Sequence, residues 1–401
     1  MRNIRVCFIL IFLLVFFLFC TTIIKKGERS FSPSPPAPLK ANQVPLFVVF
    51  GFDDNGISGL DDPRESGGVK FITDVFASRY NPMGLGNKRT YDGKQTHFSM
   101  YCTTRYIANT EIENPVLVKR AWKGAILDGN EIGIHTHLHS HGSRLSVEEW
   151  EQEIQTCIDW LIKPYDPQES LGEPDPTKGI GIDRSNIYGF RAPYLEYNDN
   201  ALQAVFDKGL LYDTSIEEGF QDDQDGKNYF WPYRLYNSSK GDKLTPLLFN
   251  GKPESNYPDL WEIPIYAVIV PPDSQCAQYG VKPGFRKKMK QVQDYFREDS
   301  GKISGLDWNL WNEFEMTKEE FVATLKYTLD LRLQGNRCPF IFGAHSDMYS
   351  PKYNKVPNVT VDERQQALIE FIDYVLTLPD VRIISAKELI DWMKAPSPIR
   401  R

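Results

Sequence analysis

The sequence has no CxxC pair and no internal repeat. Without paired CxxC ligands a structural zinc knuckle is excluded. With 46 basic against 53 acidic residues, a net charge of -7 and a pI near 5.6, nucleic acid and anionic lipid are poor candidates for the main partner. A neutral substrate fits better. Missing self-similarity removes solenoids and propellers. Cysteine is scarce as well. Of the six, Cys7 and Cys20 fall in an apolar run, leaving Cys102, Cys157, Cys276 and Cys338. That even number is compatible with two disulfides in an oxidising compartment, pairing open, and equally with small buried hydrophobes.

What the chain does have is one uncharged, almost wholly apolar stretch, residues 6–24, with Arg2 and Arg5 before it and Lys25, Lys26 and Arg29 after it. Such a run at an N-terminus is a signal peptide or a membrane anchor, and either one exports the remainder of the chain. Its length and poor cleavage site favour a single retained transmembrane helix over secretion. Two N-glycosylation sequons, at Asn237 and Asn358, agree with an extracellular or lumenal domain. Residues 1–26 are therefore read as anchor or signal peptide, and the Pro/Ser-rich residues 27–44 as an extended stalk. The folded domain is expected over 45–395, with a polar insertion at about 219–258 and a tail at 396–401.

Within that domain, apolar runs of strand length alternate with amphipathic helices. Strands are expected at Leu46–Phe50, His97–Tyr101, Glu131–Ile134, Tyr188–Phe190, Leu211–Asp213, Glu262–Tyr266, Phe340–Gly343 and Val381–Ile384. A helix is expected around Val116–Leu127, and capping boxes at Ser146/Glu149, Thr317/Glu320 and Ser385/Glu388 open three more. Alternation of this kind indicates an α/β fold with a mainly parallel sheet, and the strand number favours a distorted (β/α) barrel. In a barrel, chemistry collects at the C-terminal ends of strands.

Four segments just after expected strands hold nearly all the unusual polar residues. The first runs Phe47 to Asn55 and ends in adjacent carboxylates, Asp53 and Asp54. Neighbouring residues at a strand end point to opposite sides, so one can ligate a metal while the other reaches a water. An ordinary solvated turn would use the same residues. The second, Gly129 to His141, packs four of the chain's six histidines into seven positions. Neutral imidazole is the commonest protein ligand for zinc-like ions, so this density is a metal signature. Spacing alone leaves two i, i+4 pairs open, His135/His139 and His137/His141. The third, Tyr188 to Tyr194, carries Arg191, a donor fork able to hold a carboxylate, and Pro193, which fixes the backbone before Tyr194. The fourth, Pro339 to His345, is a buried strand delivering one histidine to its end.

In their order and strand-end placement, the four segments resemble the polysaccharide deacetylases of carbohydrate esterase family four, the chitin deacetylase-like NodB homology domain, over roughly residues 45–390. The resemblance implies a barrel with a divalent metal at its C-terminal rim and hydrolysis of acetyl groups on an N-acetylated polysaccharide. It implies Asp53 as general base, Asp54, His135 and His139 as metal ligands, Arg191 as the residue positioning the base, Tyr194 as an oxyanion donor through its backbone N–H, and His345 as general acid. It leaves His137 and His141 outside the ligand set. Two departures stand out: Gly343 sits where the family usually has a larger apolar residue, and Asn55 replaces a common Gly. The Asp-Trp pair that orients the acid is assigned to Asp307-Trp308, with Trp261 as a rival wall residue. Zinc is the default metal, with cobalt, nickel or manganese also acceptable to an Asp-His-His set. An O-acetyl esterase on xylan-like glycans and a non-catalytic carbohydrate-binding relative are the alternatives.

Overall fold

The computed structural model describes residues 32–61, 67–235 and 257–399. The apolar run at 6–24, the sequon at Asn237 and most of the insertion lie outside them. Among the described residues, no helix is long and apolar enough to cross a membrane.

One nine-stranded sheet organises the domain, and its strands are numbered in chain order. They are β1 (Leu46–Asp53), β2 (Ser99–Cys102), β3 (Glu131–Ile134), β4 (Gly189–Phe190), β5 (Tyr212–Asp213), β6 (Tyr233–Leu235), β7 (Tyr257–Glu262), β8 (Phe340–His345) and β9 (Val381–Ile383). Their order across the sheet is β8-β1-β2-β3-β4-β5-β7-β6, with β9 paired to the start of β1. All pairings are parallel except β6 with β7. The fold is α/β, a curled sheet forming a distorted, incomplete barrel. The polar insertion read as loop thus contains a strand, because Tyr233 and Leu235 are buried against β7.

Around the sheet lie α1 (Gly68–Ala77), α2 (Pro115–Leu127), α3 (Val147–Ile162), α4 (Asp199–Asp207), α5 (Phe285–Val292), α6 (Lys318–Gln334), α7 (Val361–Thr377) and α8 (Ala386–Lys394). The boxes at Ser146/Glu149, Thr317/Glu320 and Ser385/Glu388 cap α3, α6 and α8 reciprocally. Every residue of β1 is buried, because apolar groups cover both its faces. Leu46, Val48, Phe50 and Phe52 enter one core cluster, which holds Phe71, Phe76 and Phe371 of α1 and α7; Phe47 and Val49 enter the other. This is the two-residue alternation of a strand. Truncating Phe50 or Phe52 to Ala should cost about 3–5 kcal/mol. Both point away from the site, so the strand that carries Asp53 is anchored by residues that take no part in chemistry.

From Ser32 onward the described part of the Pro/Ser-rich segment runs against this domain. Ser32 and Pro33 carbonyls accept from the Trp231 N–H at 2.9 Å and Asn336 Nδ2 at 2.6 Å. Cys102, Cys157, Cys276 and Cys338 are all buried free thiols, with no disulfide among the described residues. They serve as small core residues: Cys102 lies on β2, Cys157 on α3, and Cys338 just before β8.

Candidate metal and catalytic site

Parallel pairing of β1 with β8 sets Asp53 directly beside His345. The two strands end together, so a carboxylate and an imidazole from residues nearly 300 apart in sequence share one rim. Asp53 is 3% exposed, and Arg191 Nη1 donates to its Oδ1 at 2.7 Å. Burial pushes the Asp53 carboxyl up to about 6 despite the guanidinium and His345 pulling it down.

Arg191 is itself fully enclosed. Its Nε donates to the Thr214 carbonyl at 3.1 Å, Nη2 to Thr214 Oγ1 at 3.2 Å, and its plane lies 4.3 Å from the centre of the Tyr101 ring. Gly51 makes room for it, since a Cβ there would lie 2.8 Å from Arg191 Nη2. Thr214 was not foreseen, because a lone Thr after a two-residue strand gives no local signal.

Asp54 begins the turn after β1 at φ 65°, and Asn55 follows at φ 66°. Asn tolerates this left-handed region better than most residues, and here its side chain adds a reason. Asn55 Nδ2 donates to the carbonyls of Phe52 at 2.8 Å and Tyr101 at 3.1 Å, which tethers the turn to β1 and β2. The replacement of Gly is therefore accommodated. Farther along, the Gly56 and Ile57 N–H groups donate to Asp347 at 3.2 and 2.8 Å, a buried acid that the sequence pattern does not single out. Burial and the neighbouring Asp54 push its carboxyl up to about 7.

His135 follows β3 and donates its Nδ1–H to the Arg191 carbonyl at 2.8 Å, which fixes the tautomer and frees Nε2. That Nε2 lies 4.0 Å from Asp54 Oδ1, and His139 Nε2 lies 3.1 Å from the same oxygen. Asp54 Oδ1 is buried without a hydrogen-bond partner. An orphaned carboxylate oxygen facing two imidazole nitrogens, all within 4.8 Å of one another, is the donor set a divalent ion requires. The residues fit the metal. Burial drives His135 down to about 3 and also lowers His139, so both rings are neutral and ready to ligate. Burial opposes ionisation of Asp54, yet His139 and His135 hold its carboxyl below the ordinary value.

Of the two histidine pairs, the fold gathers His135 and His139, not His137 and His141, around Asp54. His137 turns away to Thr104 Oγ1, 2.9 Å from its Nδ1, while its N–H and that of Leu138 donate to Glu153 at 2.9 and 2.8 Å. His141 points outward, pairing with Glu196 at 3.0 Å.

His345 is held by Asp307, which is wholly buried and accepts from both its ring Nδ1–H at 2.7 Å and its backbone N–H at 2.9 Å. Burial alone would lower this imidazole, but the Asp307 carboxylate, with Asp53 and Asp54 behind it, raises the value to about 10. A bridge between Leu306 and Gly343 brings Asp307 to the end of β8 across 38 residues of sequence. That contact also explains Gly343, because a Cβ there would lie 2.8 Å from Leu306 Cδ2. Trp308 beside it is half-exposed, whereas Trp261 is buried on β7 under Arg234. Contact with His345 thus singles out Asp307. Tyr194 sits at φ 58° in a one-turn 3-10 segment, where early N–H groups have no partner within the turn.

No family model matches the chain. A chitin deacetylase, chitin deacetylase 8 of Bombyx mori, is 24% identical over 374 residues, spanning 93% of this chain and 77% of the relative. The chain is thus similar to a chitin deacetylase over nearly its whole length. Crystal structures described as polysaccharide deacetylases are also similar. One from Mycobacterium smegmatis is 17% identical with a TM-score of 0.45, covering 92% of this chain and 99% of its own. Another, from Pseudomonas aeruginosa, is 13% identical with a TM-score of 0.44, covering 90% and 95%.

Proposed function

We propose that this protein is a metal-dependent N-deacetylase that hydrolyses the acetamide of N-acetylhexosamine units in chitin or a related glycan. One observation carries the reading: three groups with separate chemical duties converge on adjacent strand ends. They are the Asp53–Arg191 pair, the His345–Asp307 pair, and the Asp54, His135 and His139 donor set.

Asp54, His135 and His139 would hold the ion, with zinc the default for such donors and cobalt, nickel or manganese acceptable. When bound, a divalent ion supplies Lewis acidity to the acetyl carbonyl and lowers the pKa of water. Asp53, held by Arg191, accepts a proton from the attacking water as its oxygen joins the carbonyl carbon. The Tyr194 N–H donates to the oxygen that becomes negative. His345, cationic up to about 10, then protonates the nitrogen as the C–N bond breaks, so that acetate and a free amine leave.

We further propose that the domain works on the extracellular or lumenal side of a membrane. The N-terminal apolar run and its basic flanks support this, as does Asn358, an exposed sequon residue.

Acetate release from chitin oligomers, peptidoglycan fragments and acetylated xylan, measured on the metal-loaded full-length protein, tests the activity. Release from xylan alone would make it an O-acetyl esterase. Binding without release from any of them would make it a non-catalytic relative.

A further inference from the structure

Two of the four clustered histidines have no part in the chemistry above, and one of them lies at the surface. The His141 side chain is 70% exposed, and its ring stacks on Tyr194 with centroids 4.2 Å apart and planes 11° apart. Tyr194 in turn meets the metal-ligand candidate His139 edge to face at 4.6 Å. A ladder of three rings therefore climbs from the metal site to the rim, with His141 on the outside.

This ladder is held rigidly. The His141 Nδ1–H donates to Glu196 Oε1 at 3.0 Å, which fixes the ring plane and leaves Nε2 to solvent. Asn198 Nδ2 donates to the carbonyls of Leu145 at 3.0 Å and Ser143 at 3.3 Å, and Asn198 Oδ1 accepts from Trp150 Nε1 at 2.9 Å. The loop bearing His141 is thus stitched to the loop bearing Tyr194. Tyr194 and Leu195 are consecutive non-glycine residues at positive φ, 58° and 54°, a strained arrangement that surrounding structure must maintain. A large aromatic residue, 55% exposed, is kept in water beside a metal site, with a second ring laid flat on it.

We propose that the outer face of His141, backed by Tyr194, is a saccharide subsite for the unit of the glycan next to the one being deacetylated. The inference rests on the deacetylase reading and adds chain-length selectivity to it. The apolar C–H face of a pyranose buries area on a flat ring, while its hydroxyls reach polar groups at the ring's edge. The platform supplies both, with the imidazole face for stacking and Nε2 and the Glu196 carboxylate for hydroxyls. Because the platform is already ordered, binding there loses little conformational freedom.

The test compares acetate release from N-acetylglucosamine and from its β-1,4 pentamer by the full-length, zinc-loaded protein and its His141→Ala and His141→Phe variants. For His141→Ala, the KM for the pentamer should rise roughly five- to tenfold, the size of one lost ring contact, with kcat changing less than KM. The loss on the monomer should be smaller. His141→Phe keeps a flat ring on Tyr194 and should restore most of the pentamer KM. Equal effects on monomer and pentamer, or failure of Phe to restore the KM, overturn the subsite and leave the deacetylase reading intact. No acetate from either sugar with the unaltered protein overturns both.

Discussion

Asp307 grips His345 at two points, its Oδ1 taking the ring Nδ1–H at 2.7 Å and its Oδ2 the backbone N–H at 2.9 Å. The first contact sets the charge of the imidazole and the second sets its place. Asp307 is wholly buried, so its charge acts on the imidazole with little screening by solvent.

This pair shapes the pH profile. Asp53 acts only when ionised, above about 6, and His345 only when protonated, below about 10. The kcat/KM profile of the free enzyme should therefore be a broad bell between those limits. Asp307→Asn removes the anion that raises His345 most, leaving burial to push it down against the smaller pull of Asp53 and Asp54. The alkaline limb should then fall to lower pH while the acid limb stays. A pH series of acetate release decides it, and an alkaline limb unmoved in Asp307→Asn would remove His345 as the acid.

Metal binding should discriminate among the histidines. His135→Ala takes away an Nε2 that faces Asp54, whereas His137→Ala removes only a contact to Thr104. Elemental analysis of the full-length protein should show one divalent ion per chain, lost in His135→Ala and retained in His137→Ala. The reverse result would return the ligand pair to His137 and His141.

Arg191 should matter to stability as well as to rate. It is a buried cation paired with a buried anion, and removing one partner strands the other. Arg191→Met should cost about 3–5 kcal/mol in a denaturant melt, far above the effect of a surface ion pair. A further Asp53→Asn change in that background should recover part of the loss, because it takes away the stranded charge. Two losses that simply add would mean the pair is not coupled.

Exposure of Asn358 makes location testable. Expressed in a glycosylating host, the full-length protein should shift in mobility on endoglycosidase treatment, and Asn358→Gln should remove one glycan. No glycan in the unaltered protein would count against the extracellular or lumenal placement.

Much of this arrangement was legible in the sequence, and what was not shares a physical cause. β3 was readable because its buried Ile132-Gly-Ile134 core lies between polar residues, Glu131 at its start and His135 after its end. α3, α6 and α8 announced themselves through capping boxes. Thr360 and Glu363 form the same box at the start of α7 and were overlooked, a signal present but unread. α1 gave no such signal, since Gly67 stands at its N-cap and no side chain caps it. In the site, the residue types and order pointed to the chemistry, but the histidine pair could not be chosen until the turn after β3 was folded. Thr136 and His139 both take positive φ there, which breaks the alternation on which strand logic depends. Asp347 and Thr214 escaped because each acts across a long stretch of chain, through hydrogen bonds that only the sheet order creates.

The adjacent carboxylates offer the most decisive separation of roles. Asp54 faces His135 and His139 with an unpartnered oxygen, while Asp53 is held through its Oδ1 by Arg191. Asp54→Asn should therefore lose metal and activity together, because a neutral amide is a poor ligand for a dication. Asp53→Asn keeps the donor set and should keep the ion, yet lose on the order of 10² to 10⁴ in kcat, the usual contribution of a positioned base. His345→Ala should resemble Asp53→Asn in retaining metal, but with the alkaline rather than the acid limb abolished. Metal content and kcat measured on the same three preparations separate the roles. If Asp53→Asn strips the ion and Asp54→Asn retains it, the two duties are exchanged. If both variants keep metal and near-normal acetate release, neither carboxylate does what its position implies, and the deacetylase mechanism falls.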